Sequence, residues 1–321
     1  MNAILRTIAC ALAIHCPALS AAEPWPTRTI TIVAPGAAGG SADIYARLAA
    51  DGLSKALGHP VIVENKSGVG TLLGAKAVAQ AKPDGHTLLI GPASLTISPY
   101  IYKTIEFDPT REVQPIRAIV RIPNVVVVNS ASSIRNVADL LAHVRANPGK
   151  FNYASGGVGI SEHLSGELFR VMTGADLVHV PFKNSSDAAL AVVKGEALVG
   201  FGNLSAVLPQ VQAGKLRAIA VTSAGRYPAL PELPTVAEEG VAGYEVSTWF
   251  GLFAPTGTPA EIVRRIDAAL KGYLATPDTR QRLRAVGAEA ADLGPDAFAT
   301  LVRTDYAKWG PVIQKANIRA E

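Results

Sequence analysis

The sequence predicts an α/β protein of two lobes, each a parallel or mixed sheet flanked by helices, joined by a hinge of two strands. Three observations carry this. Short β-branched runs alternate with amphipathic helical patterns from residue 29 to residue 221. Two glycine-rich turns, one in each half of that stretch, each lie between a strand-like run and a helix pattern. The C-terminal segments read as helices with no strand of their own, so they need an earlier sheet to cover, and the chain must cross between lobes twice.

In order, the pattern reads as strand 29–34, helix 42–57, strand 60–64, helix 70–81, strand 87–90, and a helix or turn at 94–103. Two strand-like runs follow at 116–120 and 124–128, then helix 136–146. Beyond these come helix 161–173, strand 176–180, helix 185–194, an apolar run at 197–201, helix 205–213 and strand 216–221. The prolines of Tyr227-Pro228-Ala229-Leu230-Pro231-Glu232-Leu233-Pro234 exclude a regular helix and force a surface excursion. An aromatic-rich extended segment spans Gly243 to Ala254, and the tail is helical from Pro259 to Leu274 and from Pro295 to Ala316. The crossovers fall near Arg121–Val125 and Val246–Phe253. Lobe 1 is therefore expected at 23–123 plus 253–321, and lobe 2 at 124–252.

The first glycine turn, Ala34 to Asp43, follows Thr29-Ile30-Thr31-Ile32-Val33 and precedes a helix that stops at Gly58. The second, Ala154 to His163, follows Phe151-Asn152-Tyr153 and precedes a helix that stops at Gly174. Glycines let backbone N–H groups approach a ligand, and the N–H groups of a helix start carry partial positive charge, so each turn suits a carboxylate or phosphate oxygen. Two such turns facing one another would clamp a small anion. An ordinary strand-to-helix turn in an α/β domain has the same composition, so the pairing is the informative feature.

Residues 1–22 carry one early cation, Arg6, an apolar run from Ile8 to Leu19, and Ser20-Ala21-Ala22 before Glu23, the pattern of a cleavable signal peptide. Export to the periplasm follows. Cys10 and Cys16 both fall inside that segment, so the mature chain is expected to have no thiol chemistry. Removing Arg6 from the 30 basic residues leaves 29 against 26 acidic ones, scattered without a basic stripe, which argues against nucleic-acid binding and suits an anionic small ligand. With 49% apolar and 17% charged residues, the chain has material for two buried cores.

Enzymatic readings fare poorly. Ser161 and His163 are two residues apart on a helix and point in different directions, so a nucleophile–base pair is excluded and a helix cap at Ser161 is favoured. His163 reads as a packing or loop-bracing residue. No metal-ligand spacing or phosphate-loop lysine occurs, and Gly68-Val69-Gly70-Thr71-Leu72-Leu73-Gly74 misses the dinucleotide fingerprint by one residue. No cofactor is expected. Asp43, one turn into its helix, complements the helix dipole.

An ordered series of segments then resembles the Bug family of periplasmic solute-binding proteins, the TctC-like receptors of tripartite tricarboxylate transporters. It comprises Trp25-Pro26-Thr27-Arg28, Pro35 to Asp43, Val63-Glu64-Asn65-Lys66, Lys82 to Leu88, Asn147-Pro148-Gly149-Lys150, Ser155 to His163, His179 to Lys183, Ala213 to Thr222, Leu233 to Glu238 and Trp249 to Pro255. The resemblance implies a type II-like periplasmic binding protein that holds a small carboxylate between its lobes as a monomer and delivers it to integral membrane subunits. Carried onto this chain, it implies ligand contacts at Gly36, Ala37, Ala38, Ser41, Asp43, Ala93 and Ser94 in lobe 1. In lobe 2 it implies Ser155, Gly156, Val158, Gly159, Ile160, Ser161 and Asn203. Two departures bear on the ligand. Gly36 stands where relatives commonly have Phe, and Gly202 where they often have an acid, so a roomier pocket and a di-, tri- or aromatic carboxylate are expected. The alternatives are a sensory binding protein that presents its closed form to a membrane kinase, and a secreted hydrolase that uses Ser161.

Overall fold

The computed structural model describes residues 25–68, 71–102, 104–316 and 318–319. Segment 1–22, for which a signal peptide is expected, and Val69 and Gly70 of the glycine run lie outside the described residues.

The first sheet is built from β1 (Ile30–Ala34), β2 (Val61–Asn65) and β3 (Thr87–Pro92), with β1 parallel to both neighbours. Apolar β-branched residues with 0% exposure at Ile30 and Ile32 set its inner face. Helix α1 (Ser41–Leu57) leaves β1 and ends at Gly58, whose positive φ of 67° suits a residue without Cβ. Helix α2 (Leu72–Ala79) is shorter than the predicted 70–81. After β3 the chain makes a 3-10 turn over Ala93–Thr96 and the short α3 (Ser98–Ile101).

The two strand-like runs predicted at 116–120 and 124–128 form one strand, β4 (Val113–Asn129), which belongs to both lobes. Val113 to Pro123 pairs antiparallel with β9 (Ser247–Pro255), whereas Asn124 to Val128 pairs antiparallel with β7 (Val199–Asn203). The strand therefore changes partners between Pro123 and Asn124. The second lobe continues with α4 (Val137–Arg145), β5 (Phe151–Ser155), α5 (Ser161–Thr173), β6 (Leu177–Pro181), α6 (Ser185–Lys194), α7 (Leu204–Gln212) and β8 (Leu216–Val221). Strand β5 is parallel to β6 and β7, and β8 pairs antiparallel with β4. The continuous order is β2-β1-β3-β9-β4-β7-β5-β6. The antiparallel members β4 and β9 carry the chain out and back.

Strand β9, the expected return crossing, pairs along its length with β3 and the first half of β4. One expectation needs correction. The tail, α8 (Ala260–Ala275), α9 (Pro277–Ala285) and α10 (Pro295–Lys315), does contain a strand, β10 (Glu289–Ala290), paired with β4 at Arg121 and Val120. Nor does the tail cover the first lobe alone. Phe298 and Val302 of α10 are buried with Leu89, Phe253 and Trp249, while Trp309 and Ile313 are buried with Phe169, Tyr244 and Val128 of the second lobe.

The two crossings are tied by Thr222. Its hydroxyl lies 2.9 Å from both the N–H and the carbonyl of Asn124 and 2.6 Å from the carbonyl of Val246. The Asn124 side chain donates to Ser165 Oγ at 2.9 Å and accepts from Ser161 Oγ at 3.4 Å, linking the crossing to the start of α5.

Candidate functional site

Strand-to-helix turns in an α/β sheet gather at the carboxyl ends of the strands, and here they gather at the lobe boundary. A cleft of about 540 Å3 opens there, within the usual range for a small-molecule site. Its wall is made by helix starts: Gly40 and Ser41 of α1, Pro92 and Ser94 of the 3-10 turn, Ile160 and Ser161 of α5, Asn184 and Ser185 of α6, and Asn203 and Ser205 of α7. Ile122, Thr248 and Phe250 from the crossing strands complete it, and Ile44 adds an apolar side chain that is 52% exposed.

The helix starts differ in their caps. Asn184 accepts the N–H of Asp187 at 2.9 Å, and Asn203 accepts that of Ser205 at 3.3 Å, so α6 and α7 are capped by side chains. The caps of α1 and α5, Gly40 and Ile160, supply no side-chain bond. Their first-turn N–H groups are left to solvent or a ligand. Ser161 is thus not the cap predicted for it; it is the first helical residue, and Ile160 occupies the cap position.

Among the described residues no Lys or Arg lines the cleft, and Glu162 is the one ionisable side chain in its lining. That carboxylate, only 1% exposed, is held by two loops of the second lobe. Oε2 accepts the Gly156 N–H at 2.6 Å and Oε1 accepts the Asn203 N–H at 3.0 Å. Burial pushes its carboxyl above the usual range, against the pull of these donors. Gly159 donates its N–H to His163 Nδ1 at 3.0 Å, which places the neutral ring's proton on Nε2. His163 stacks on His179 with centroids 3.8 Å apart, and His179 Nε2 lies 2.7 Å from Ser155 Oγ. Burial lowers His163 to about 4 and His179 to about 3, so both rings are neutral near pH 7.

The first loop is braced differently. Asp43 Oδ2 accepts the Gly39 N–H and Arg47 Nε, each at 2.9 Å, and these bonds, Arg47 foremost, lower its carboxyl to about 2. The Gly36 carbonyl accepts from Asn65 Nδ2 at 3.0 Å.

Of the residues singled out from sequence, Ser41, Ser94, Ile160, Ser161 and Asn203 line the cleft. Gly36, Ala37, Ala38, Asp43, Ala93, Ser155, Gly156, Val158 and Gly159 stand outside that lining. Several are spent on internal bonds: the amides of Gly156 and Gly159 and the carboxylate of Asp43 brace the loops, and the Ser155 hydroxyl bonds the Gly157 carbonyl at 3.0 Å. Sequence reasoning missed Asn184, Ser185, Ser205, Thr248, Phe250 and Glu162. The Asn-Ser-Ser and Asn-Leu-Ser helix starts were a usable signal for the first three.

The two glycine departures read differently in the structure. A Cβ at Gly202 would run into Val207 Cγ1, so this glycine answers to packing against α7. Gly36 lies outside the lining, and a Cβ there would sit 3.6 Å from Ala42 Cβ, an ordinary contact. The acid expected to be absent near Asn203 is present after all, since Glu162 reaches the Asn203 amide from α5. Among the described residues no group of three or more metal-ligating side chains occurs, and no helix is long and apolar enough to cross a membrane.

Two lobes around a cleft walled by helix starts define a solute-binding protein of the periplasmic type. The chain belongs to the tripartite tricarboxylate transporter receptor family, the TctC family, whose model matches residues 45–318. It is 30% identical over 300 residues to Protein BugT of Bordetella pertussis, covering 93% of this chain and 92% of BugT. Among solved structures it is similar to R. palustris Rpa4515 with adipate, at 36% identity and a TM-score of 0.79 over 92% of this chain and all of that one. It is also similar to MatC (Rpa3494) from Rhodopseudomonas palustris with bound malate, at 31% identity and a TM-score of 0.75 over 90% of this chain and 99% of that one. The family is one of receptors, not enzymes.

Proposed function

We propose that this protein captures a small carboxylate in the interlobe cleft, closes on it, and presents it to the integral membrane subunits of a tripartite tricarboxylate-type transporter. Export through cleavage after residue 22 and action as a monomer belong to the same reading. One observation carries it. Five helix or turn starts converge on a cleft that no cationic side chain lines among the described residues, so recognition of an anion falls to oriented N–H groups and hydroxyls. Charge-assisted bonds of this kind contribute about 1.5–3 kcal/mol each, and a few of them reach micromolar binding, about −8 kcal/mol, after the cost of association. Adipate and malate, bound by the two solved relatives, are the ligands to try first.

Because the donors come from both lobes, ligand favours the closed form by its differential affinity for it. Saturating adipate or malate is expected to raise the melting temperature and reduce the radius of gyration in small-angle scattering. Binding by calorimetry with an unchanged scattering profile would remove closure from this account. Failure of every carboxylate tried to bind would remove the ligand class.

A further inference from the structure

An anion site does not ordinarily place a carboxylate in its own wall, because a second negative charge at close range opposes the ligand. Glu162 is such a carboxylate. It is buried, it lines the cleft, and it occupies the N–H groups of Gly156 and Asn203, which come from two separate turns of the second lobe. Without it, these two donors would form an anion seat of their own. The other donors at the cleft, the uncapped first turns of α1 and α5, have no such internal acceptor.

We propose that Glu162 is a specificity-determining residue that fills the second lobe's anion seat from within, so that the cleft takes a carboxylate at the starts of α1 and α5 and discriminates against any further carboxylate directed toward Asn203. The inference rests on the carboxylate reading above and deepens it. The ligand class it names has its carboxylates at the uncapped starts of α1 and α5 and an uncharged or hydrogen-bond-donating portion beside α6 and α7. The nearby groups agree with an uncharged surround. Asn184 and Asn203 are neutral, and His163 is committed to the Gly159 amide.

The test compares hexanoate, adipate and propane-1,2,3-tricarboxylate by calorimetry on the wild type, Glu162→Ala and Glu162→Gln. The wild type is expected to bind the tricarboxylate weakly relative to hexanoate. Glu162→Ala should shift the tricarboxylate-to-hexanoate affinity ratio at least ten-fold toward the tricarboxylate. Glu162→Gln should shift it in the same direction by less, since its amide N–H2 meets one of the backbone donors. A second readout reports the seat directly: millimolar formate should raise the melting temperature of Glu162→Ala saturably and by clearly more than that of the wild type. A residue that merely braced the loops would move neither the ratio nor the formate response. An unchanged ratio in the variants that bind hexanoate, or the absence of formate stabilisation in Glu162→Ala, overturns this inference alone. Absence of binding by all three probes to the wild type overturns the carboxylate reading and this inference with it.

Discussion

In the first glycine loop the brace is a carboxylate with its counter-ion: Asp43 accepts the Gly39 N–H and is paired with the half-exposed Arg47. In the second loop the brace is sunk into the lobe. Glu162 holds Gly156, and His163 holds Gly159 from within a stack of neutral rings that runs through His179 to Tyr153. Both loops present an uncapped helix start to the same cleft, yet one is secured by an ion pair near solvent and the other by desolvated groups. The second should be the less tolerant of added bulk and the more sensitive to mild acid.

The largest expected effect separates the loops by sterics. A Cβ at Gly156 would lie 2.7 Å from the carbonyl carbon of Asn184, in backbone that cannot move aside cheaply. Gly159 combines a φ of +78° with Ile101 Cδ1 only 2.8 Å from the Cβ position, a contact reaching across to α3 of the first lobe. Gly156→Val is expected to cost about 3 kcal/mol by overpacking, and Gly159→Val to weaken ligand binding more than ten-fold. Gly36→Ala in the first loop should stay within about 0.5 kcal/mol. Urea denaturation and calorimetry of the three variants check this, and equal losses at Gly36 and Gly156 would break the comparison.

Acid should separate them next. The fold keeps His163 neutral with its pKa lowered to about 4, while in the unfolded chain the ring takes up protons below about 6.5. The stability it confers is therefore present above pH 6.5 and is lost as pH falls toward 4, amounting to about 2 kcal/mol between pH 6.5 and 5. Asp43, lowered to about 2, keeps its brace through that window and loses it only as pH falls from about 3.8 toward 2. Glu162 acts in the opposite sense, since burial raises its carboxyl and acid relieves that penalty. The amides of Gly159 and Gly39 read the two braces individually. Amide exchange at pH 7 and pH 5 should show protection falling at Gly159 and retained at Gly39; parallel loss at both would refute the distinction.

The smallest effect concerns caps. Asn184→Ala should cost about 1 kcal/mol through the lost bond to the Asp187 N–H, whereas Ser161→Ala, which removes only a 3.4 Å contact to Asn124, should cost less. Chemical denaturation midpoints rank the two. A reversed order would mean that Ser161 carries more of the α5 start than its geometry provides.

The glycine loops were legible because glycine between a β-branched run and an amphipathic helix has few other uses. The cleft they face was legible only in part, because lining depends on which groups remain free after the loops have satisfied themselves. Ser161 read as a cap on residue type, but the chain enters α5 at Ile160 and turns the serine toward Asn124. Glu162 carried no local signal at all, since one of its partners is six residues back and another is 41 residues ahead. The one-strand nature of β4 was hidden because residues 116–120 and 124–128 read as separate runs; the strand spans both by changing partners between Pro123 and Asn124.

Helix α10 binds the two lobes into a common fate. Its first half is buried with Phe253 and Trp249 and its second half with Phe169 and Tyr244, so neither lobe completes its apolar interior without the last twenty or so residues of the chain. Heat should then melt the molecule in a single cooperative transition, and a ligand touching only the cleft should protect the amides of α10 as strongly as those of the sheets. A chain that has not yet emerged past Trp309 leaves the second lobe's apolar interior unfinished.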